Sequence, residues 1–133
     1  MFKRLTTTFI SKLLAFPIMM LFAVTPASAE ATLVMAEETG CVWCARWNAE
    51  IGPIYPLTHE GVAAPLRRIN IDNPIPDDIQ LARRVTFTPT FILVVDGTER
   101  NRIEGYPEED FFWGLLGQML EQEGIEFELK QGN

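Results

Sequence analysis

The sequence offers few metal ligands: two cysteines, Cys41 and Cys44, and one histidine, His59, among 133 residues. A structural zinc site normally takes four cysteine or histidine ligands, so we expect no complete zinc site in this chain. His59 stands alone in a Thr-His-Glu-Gly loop and is interpreted as a surface residue. The sequence therefore predicts a protein with no bound metal and no other cofactor.

Basic residues are also scarce, because 11 lysines and arginines stand against 18 aspartates and glutamates. Binding of nucleic acids rests on neutralising phosphates with basic side chains, so this charge balance argues against a nucleic-acid partner. No internal repeat or low-complexity tract divides the chain. The sequence predicts a single acidic domain, and we expect it to be a monomer.

The sequence has no apolar run that would comfortably cross a membrane, since its longest, 13–24, has twelve residues and contains Pro17. Three basic residues precede this run and Ala27-Ser28-Ala29 follows it, which is the layout of a secretory signal peptide. The pattern predicts a signal peptide at 1–29, cleavage after Ala29 and an exported domain at 30–133. Loss of the three basic residues would take the net charge from −7 to −10. An uncleaved membrane tether is the alternative.

The two cysteines form a C-x-x-C motif, Gly40-Cys41-Val42-Trp43-Cys44, between an apolar run and a helix-like segment. A chain that passes here from a strand into a helix puts Cys41 at the helix N-terminus, where free N–H groups stabilise a thiolate. That thiolate would attack a disulfide, and Cys44 would resolve the mixed disulfide. Because an oxidising compartment keeps such a pair as a disulfide, the motif predicts a redox site with a redox partner.

Other interpretations of these residues stay open. A structural disulfide between residues three apart would constrain the unfolded chain little. Two thiolates also suffice for a Cu(I) carrier, for which Met35 is the nearest additional ligand. Trp43 either provides an apolar contact surface for a partner protein or belongs to the core with Trp47.

The rest of the sequence alternates strand and helix patterns. Strands are predicted at 66–71, 91–95 and 98–104, and helices at 77–84 and from Pro107 to Gly124, while 125–133 reads as a stray strand or a frayed tail. The resulting order, β-α-β-α-β-β-α, is a βαβ unit followed by a ββα unit around one mixed sheet. This α/β arrangement is the thioredoxin fold, and C-x-x-C beside a βαβ pattern is a signature of it.

The sequence resembles periplasmic thioredoxin-like proteins, and more narrowly the SoxS type found with bacterial sulfur-oxidation (Sox) systems. Three segments carry the resemblance: 37–50 around the cysteines, 87–91 and 103–107. The resemblance implies a periplasmic thiol–disulfide oxidoreductase that keeps a thiol-bearing partner, a component of the Sox complex, reduced. It also implies a membrane thiol transporter as the electron donor.

The resemblance further implies site residues. Pro89 would be a cis-proline that faces the disulfide, and Thr88 would contact the backbone of the bound partner. Thioredoxins carry a buried aspartate six residues before the first cysteine, as proton acceptor for the second thiol. This sequence has Met35 at that position, so water, Glu37 or Glu38 would take over.

Alternatives to the reductase prediction are a general periplasmic disulfide oxidase or isomerase, a reductase for cytochrome c maturation, and the Cu(I) carrier. The isomerases in question carry an additional dimerisation domain, for which residues 30–133 leave no room.

Overall fold

The structure, a computed structural model, describes residues 29–127. The signal peptide predicted at 1–29 lies outside the described residues except for Ala29, as do residues 128–133 of the predicted tail. The elements are β1 (Ala31–Glu37), α1 (Val42–Glu50), a 3-10 turn (Tyr55–Leu57), α2 (His59–Ala63), β2 (Leu66–Asn70), β3 (Thr90–Val95), β4 (Thr98–Glu104) and α3 (Glu109–Gln122). Within residues 29–127 no helix is long and apolar enough to cross a membrane.

The four strands form one mixed sheet in the order β2-β1-β3-β4. β1 pairs in parallel with β2 and antiparallel with β3, which in turn pairs antiparallel with β4. The predicted βαβ and ββα units around a mixed sheet are thus confirmed. This topology places the end of β1, from which α1 starts, beside the beginning of β3.

Side chains of the two central strands alternate between two buried faces, as the strand period of two requires. One face packs under the helices: Leu33, Met35, Phe91 and Leu93 lie in one cluster with Trp47 of α1 and with Phe112 and Leu116 of α3. The opposite face packs under the segment that joins β2 to β3: Val34, Ala36, Ile92 and Val94 cluster with Ile69 of β2 and with Ile79 and Val85 of this segment. Every residue of β3 is buried, as the apolar run at 91–95 predicted.

The prediction of a helix at 77–84 is wrong, because this segment forms hydrogen bonds with β4 and the turn before it, not the internal hydrogen bonds of a helix. The Gln80 N–H donates to the Gly97 carbonyl at 2.8 Å, and the Glu99 N–H donates to the Gln80 carbonyl at 2.9 Å. The Glu99 carboxylate accepts from the Ala82 N–H at 2.7 Å, and the Arg102 guanidinium donates to the Arg83 carbonyl at 2.9 Å. These contacts engage the backbone of Gln80, Ala82 and Arg83 with groups outside the segment, in place of bonds within a helix.

A β-bulge makes this pairing possible. Leu93 lies opposite Asn101 and Val94 lies opposite Glu99, so Arg100 is an extra residue in β4. The extra residue places Glu99 and Arg102 on the same face of the sheet, although residues three apart on a regular strand point to opposite faces. Their side chains, 5% and 6% exposed, form an ion pair at 2.5 Å.

The structure also contains a short helix, α2, that was not predicted from the sequence. His59 is exposed as predicted, but it opens α2 and does not lie in a loop. The Thr58 side chain caps α2 by accepting a hydrogen bond from the Gly61 N–H at 3.0 Å. Near the C-terminus, α3 ends just before Gly124, and Ile125 and Phe127 pack against the core.

Candidate redox site

The turn between β1 and α1 builds the first part of the site. Gly40 has a φ of 80°, which residues with a side chain rarely adopt, and it turns the chain directly into the helix. Cys41 follows as the N-cap residue, and its Sγ accepts a hydrogen bond from the Cys44 N–H at 3.1 Å. The predicted position of Cys41 at a helix N-terminus is confirmed, and negative charge on its sulfur is stabilised there.

The two cysteines are joined in a disulfide, with their Cα atoms 5.2 Å apart. They differ in exposure, because Cys41 is partly exposed whereas Cys44 is only 3% exposed and packs in the cluster beneath the helices. Of the two cysteines, Cys41 is therefore the more accessible to another protein.

The segment before β3 forms the second part of the site. The Thr88–Pro89 peptide bond is cis, as the resemblance implied. Thr90, which is fully buried, holds this segment with a hydrogen bond from its hydroxyl to the Phe87 carbonyl at 2.7 Å. The hydroxyl of Thr88 donates to the carboxylate of Glu38.

The three segments that carry the resemblance meet at this site. The Cys41 N–H donates to the Glu38 carbonyl at 3.3 Å, and the Glu38 side chain binds Thr88, so two hydrogen bonds connect the cysteine loop with the cis-proline segment. The Gly105 N–H donates to the Pro89 carbonyl at 2.8 Å. The fold thus brings Cys41, Thr88 and Pro89 into one region, as predicted.

Apolar side chains surround the exposed side of this region. Trp43 is 51% exposed, so the interpretation of Trp43 as a core residue is wrong, whereas Trp47 is fully buried. Val42 and Phe87 are 76% and 61% exposed. Exposed apolar residues next to a reactive group are typical of a contact surface for another protein.

Met35 stands where thioredoxins carry a buried aspartate, six residues before the first cysteine, and it is fully buried. Arg68, its neighbour on β2, lies 3.4 Å from the Met35 sulfur and donates to Glu37 at 3.0 Å and to Asn48 at 2.7 Å. Glu37 is therefore paired with Arg68, while Glu38 binds Thr88. Each carboxylate that was considered as proton acceptor for Cys44 has another partner.

The same arginine weighs against the copper interpretation. A guanidinium 3.4 Å from the Met35 sulfur repels a cation that would bind this sulfur. Within residues 29–127, no three side chains of histidine, cysteine, aspartate or glutamate cluster in a way that could hold a metal ion.

Comparison with known proteins agrees with this geometry. Residues 20–120 match the thioredoxin-like domain family. The chain belongs to the thioredoxin-like family. Among solved structures, this thioredoxin-like chain is similar to the periplasmic thioredoxin SoxS from Paracoccus pantotrophus in its reduced form, with 53% sequence identity and a TM-score of 0.70 over 71% of this chain and 99% of that one.

A thioredoxin from Malassezia sympodialis (Mala s 13) is 15% identical, with a TM-score of 0.47 over 68% of this chain and 75% of that one. No curated protein matches the sequence. The family assignment and the similarity to SoxS confirm the resemblance, and the thioredoxin-like protein is a thiol–disulfide oxidoreductase.

Sequence reasoning missed the contacts that Arg46, Glu50 and Tyr106 make with one another. Tyr106 donates from its hydroxyl to Glu50 at 2.7 Å, and Glu50 also accepts from Arg46 at 2.9 Å. Arg46 and Glu50 are four residues apart on a predicted helix, so their ion pair could have been found from spacing. The contact with Tyr106 spans 56 residues, and no local pattern indicates it.

Proposed function

We propose that this thioredoxin-like protein works in the periplasm and reduces a disulfide, or a mixed disulfide, on an exported partner protein through Cys41 and Cys44. The observation that carries the proposal is the arrangement of a partly exposed Cys41 at a helix N-terminus, a buried Cys44, and cis-Pro89 in the segment that Thr88 joins to the cysteine loop. The 53% identity to a periplasmic thioredoxin SoxS supports the location and a component of the Sox complex as the partner.

The reaction begins with both cysteines reduced. The Cys41 thiolate attacks one sulfur of the partner disulfide, forms a mixed disulfide and releases the other partner sulfur as a thiolate. Cys44 loses its proton and attacks the Cys41 sulfur, which releases the second partner thiolate and leaves the Cys41–Cys44 disulfide. Two electrons thereby pass to the partner, and an external dithiol returns them; we propose a membrane thiol transporter for this role.

The residues around the cysteines bind the partner. Trp43 provides an apolar surface beside Cys41, and its exposure supports this role. Thr88 presents its backbone to the extended chain of the partner, next to Pro89. The hydrogen bond from the Thr88 hydroxyl to Glu38 keeps this segment beside the cysteine loop.

Trapping of the mixed disulfide tests the proposal. The Cys44→Ser variant retains the attacking sulfur and lacks the resolving one, so it should accumulate a covalent complex with its partner in the periplasm of a sulfur-oxidising host. Cys41→Ser is the matched control and should trap nothing. Mass spectrometry of the complex should identify a Sox component joined to Cys41. The partner assignment fails if every trapped protein lies outside the Sox complex, and the exchange mechanism fails if neither variant traps any exported protein.

The reduction potential of the cysteine pair separates the proposed reductase from a disulfide oxidase. A reductase needs a reduction potential close to that of thioredoxin, about −270 mV, whereas a strong periplasmic oxidase has a potential of about −120 mV. Equilibration with glutathione buffers of known ratio, followed by alkylation and mass measurement, gives this value. A potential near the oxidase value would reverse the proposed direction of electron flow.

A further inference from the structure

A series of contacts runs along one side of α1 and ends at the exposed tryptophan. Trp43, Arg46 and Glu50 are three and four residues apart, so they share one face of the helix. The Arg46 guanidinium lies over the Trp43 ring, 5.6 Å from its centroid. The Nε of Arg46 donates to Glu50 at 2.9 Å, and the Tyr106 hydroxyl donates to the other oxygen of Glu50 at 2.7 Å.

Tyr106 fixes this series from outside the helix. It follows Gly105, whose φ of 84° turns the chain after β4. Tyr106 is 7% exposed, and the centroid of its ring lies 6.3 Å from that of Phe112. The hydroxyl is therefore held by the core. An exposed arginine–glutamate pair within a helix contributes little alone, because both side chains lose freedom when they pair. Because Tyr106 already holds the Glu50 carboxylate, Glu50 loses less conformational freedom when it pairs with Arg46.

The electrostatics agree with this arrangement. Hydrogen bonds from Arg46 and from Tyr106 hold the pKa of Glu50 below its ordinary value, so the carboxylate stays ionised near neutral pH. The same contact with Glu50 raises the pKa of Arg46. Glu50 therefore remains a charged acceptor between the two donors.

We propose that Tyr106 and Glu50 are positioning residues that hold Arg46 over Trp43 and thereby fix the apolar surface on which the partner docks beside Cys41. This inference rests on the proposed function, because it assigns Trp43 to the docking surface. A free tryptophan side chain loses rotamers when a partner covers it, and a side chain that is already fixed avoids this cost. The partner segment that suits such a surface carries an apolar side chain next to its cysteine.

The mobility of Trp43 tests the positioning directly. The protein has three tryptophans, and the indole N–H resonance of Trp43 is assigned from its loss in Trp43→Phe. Nuclear relaxation of this N–H should indicate an ordered ring in the wild type and a more mobile ring in Tyr106→Phe, Glu50→Gln and Arg46→Met. Arg100→Met is the matched control, because it removes a different ion pair, the one between Arg100 of β4 and Glu123, the residue after α3. Unchanged order of Trp43 in all three variants would overturn the proposal.

A double-mutant cycle tests the functional consequence, with insulin as the disulfide substrate and dithiothreitol as the electron donor. Tyr106→Phe should lower kcat/KM about threefold to tenfold, mainly through a higher KM, which corresponds to the cost of ordering one side chain. The same change in a Trp43→Ala background should have no further effect. An equal effect in both backgrounds would show that Tyr106 acts through general stability and would overturn the proposal. A wild type unable to reduce insulin would contradict the proposed function, while the relaxation experiment would still decide the positioning.

Discussion

The hydroxyl of Thr88 donates a hydrogen bond to the carboxylate of Glu38 and so joins the two segments of the redox site. Glu38 also binds the Cys41 N–H through its backbone carbonyl at 3.3 Å. Glu38 thus contacts both Cys41 and the residue that precedes cis-Pro89. The contact is local in space and lies between residues 50 apart in sequence.

Removal of this link should weaken partner binding. Thr88→Val keeps a β-branched side chain and loses the hydroxyl, so kcat/KM for insulin reduction should fall about twofold to tenfold, the range expected for one hydrogen bond. Thr88→Ser keeps a hydroxyl and should stay close to the wild type. A Thr88→Ser variant as impaired as Thr88→Val would show that the hydrogen bond is not the cause.

The unequal exposure of the two cysteines should appear in their reactivity. In the reduced protein, iodoacetamide should modify Cys41 roughly tenfold or more faster than Cys44, because reaction requires an accessible thiolate and Cys44 is 3% exposed. Peptide mapping after short reaction times measures both rates. Equal rates, or faster modification of Cys44, would contradict the assignment of Cys41 as the attacking residue.

The ion pair between Glu99 and Arg102 should stabilise the fold. Glu99→Gln removes a nearly buried charge that binds Arg102 and the Ala82 N–H, so the free energy of unfolding should fall by about 2 kcal/mol. Urea denaturation measures this change. Asp78→Asn is the matched control: Asp78 is exposed and binds Arg67, and its loss should change stability much less. Equal effects of the two substitutions would refute a special role for the buried pair.

The stability that Glu99 contributes should depend on pH. Burial raises the pKa of Glu99, but hydrogen bonds from Arg102 and the Ala82 N–H outweigh burial and lower the pKa below its ordinary value of 4.5. The unfolded chain therefore binds a proton more readily, so this stability is present above about pH 4.5 and is lost as the pH falls through the folded-state pKa. The difference in unfolding free energy between wild type and Glu99→Gln should shrink from pH 7 to pH 3. A constant difference would contradict the sign of the shift.

The parts of the fold that follow from local patterns were predictable from sequence. The apolar run at 91–95 predicted the buried strand, and the helix-like segment that follows the C-x-x-C motif predicted the helix for which Cys41 is the N-cap. Both depend on periodicity and on residues close in the chain, which is the information that a sequence displays directly.

The parts that depend on distant residues were not predictable in this way. The segment 77–84 has the composition of a short helix, yet the backbone of Gln80 bonds to the backbone of Gly97 and Glu99. Other backbone groups of the segment bond to the side chains of Glu99 and Arg102, which a bulge at Arg100 brings to one face of the sheet. The contact between Tyr106 and Glu50 likewise exists only after the chain has folded. At 77–84, tertiary contacts outweighed local propensity.

Catalysed reduction of insulin by dithiothreitol, followed with wild type, Cys41→Ser and Cys44→Ser side by side, tests the central claim most directly. The account predicts turnover by the wild type and none by Cys41→Ser. When the reduced Cys44→Ser variant is freed of dithiothreitol and then mixed with insulin, a mixed disulfide between Cys41 and insulin should accumulate. Turnover by Cys41→Ser, or a mixed disulfide formed through Cys44 in place of Cys41, would contradict it.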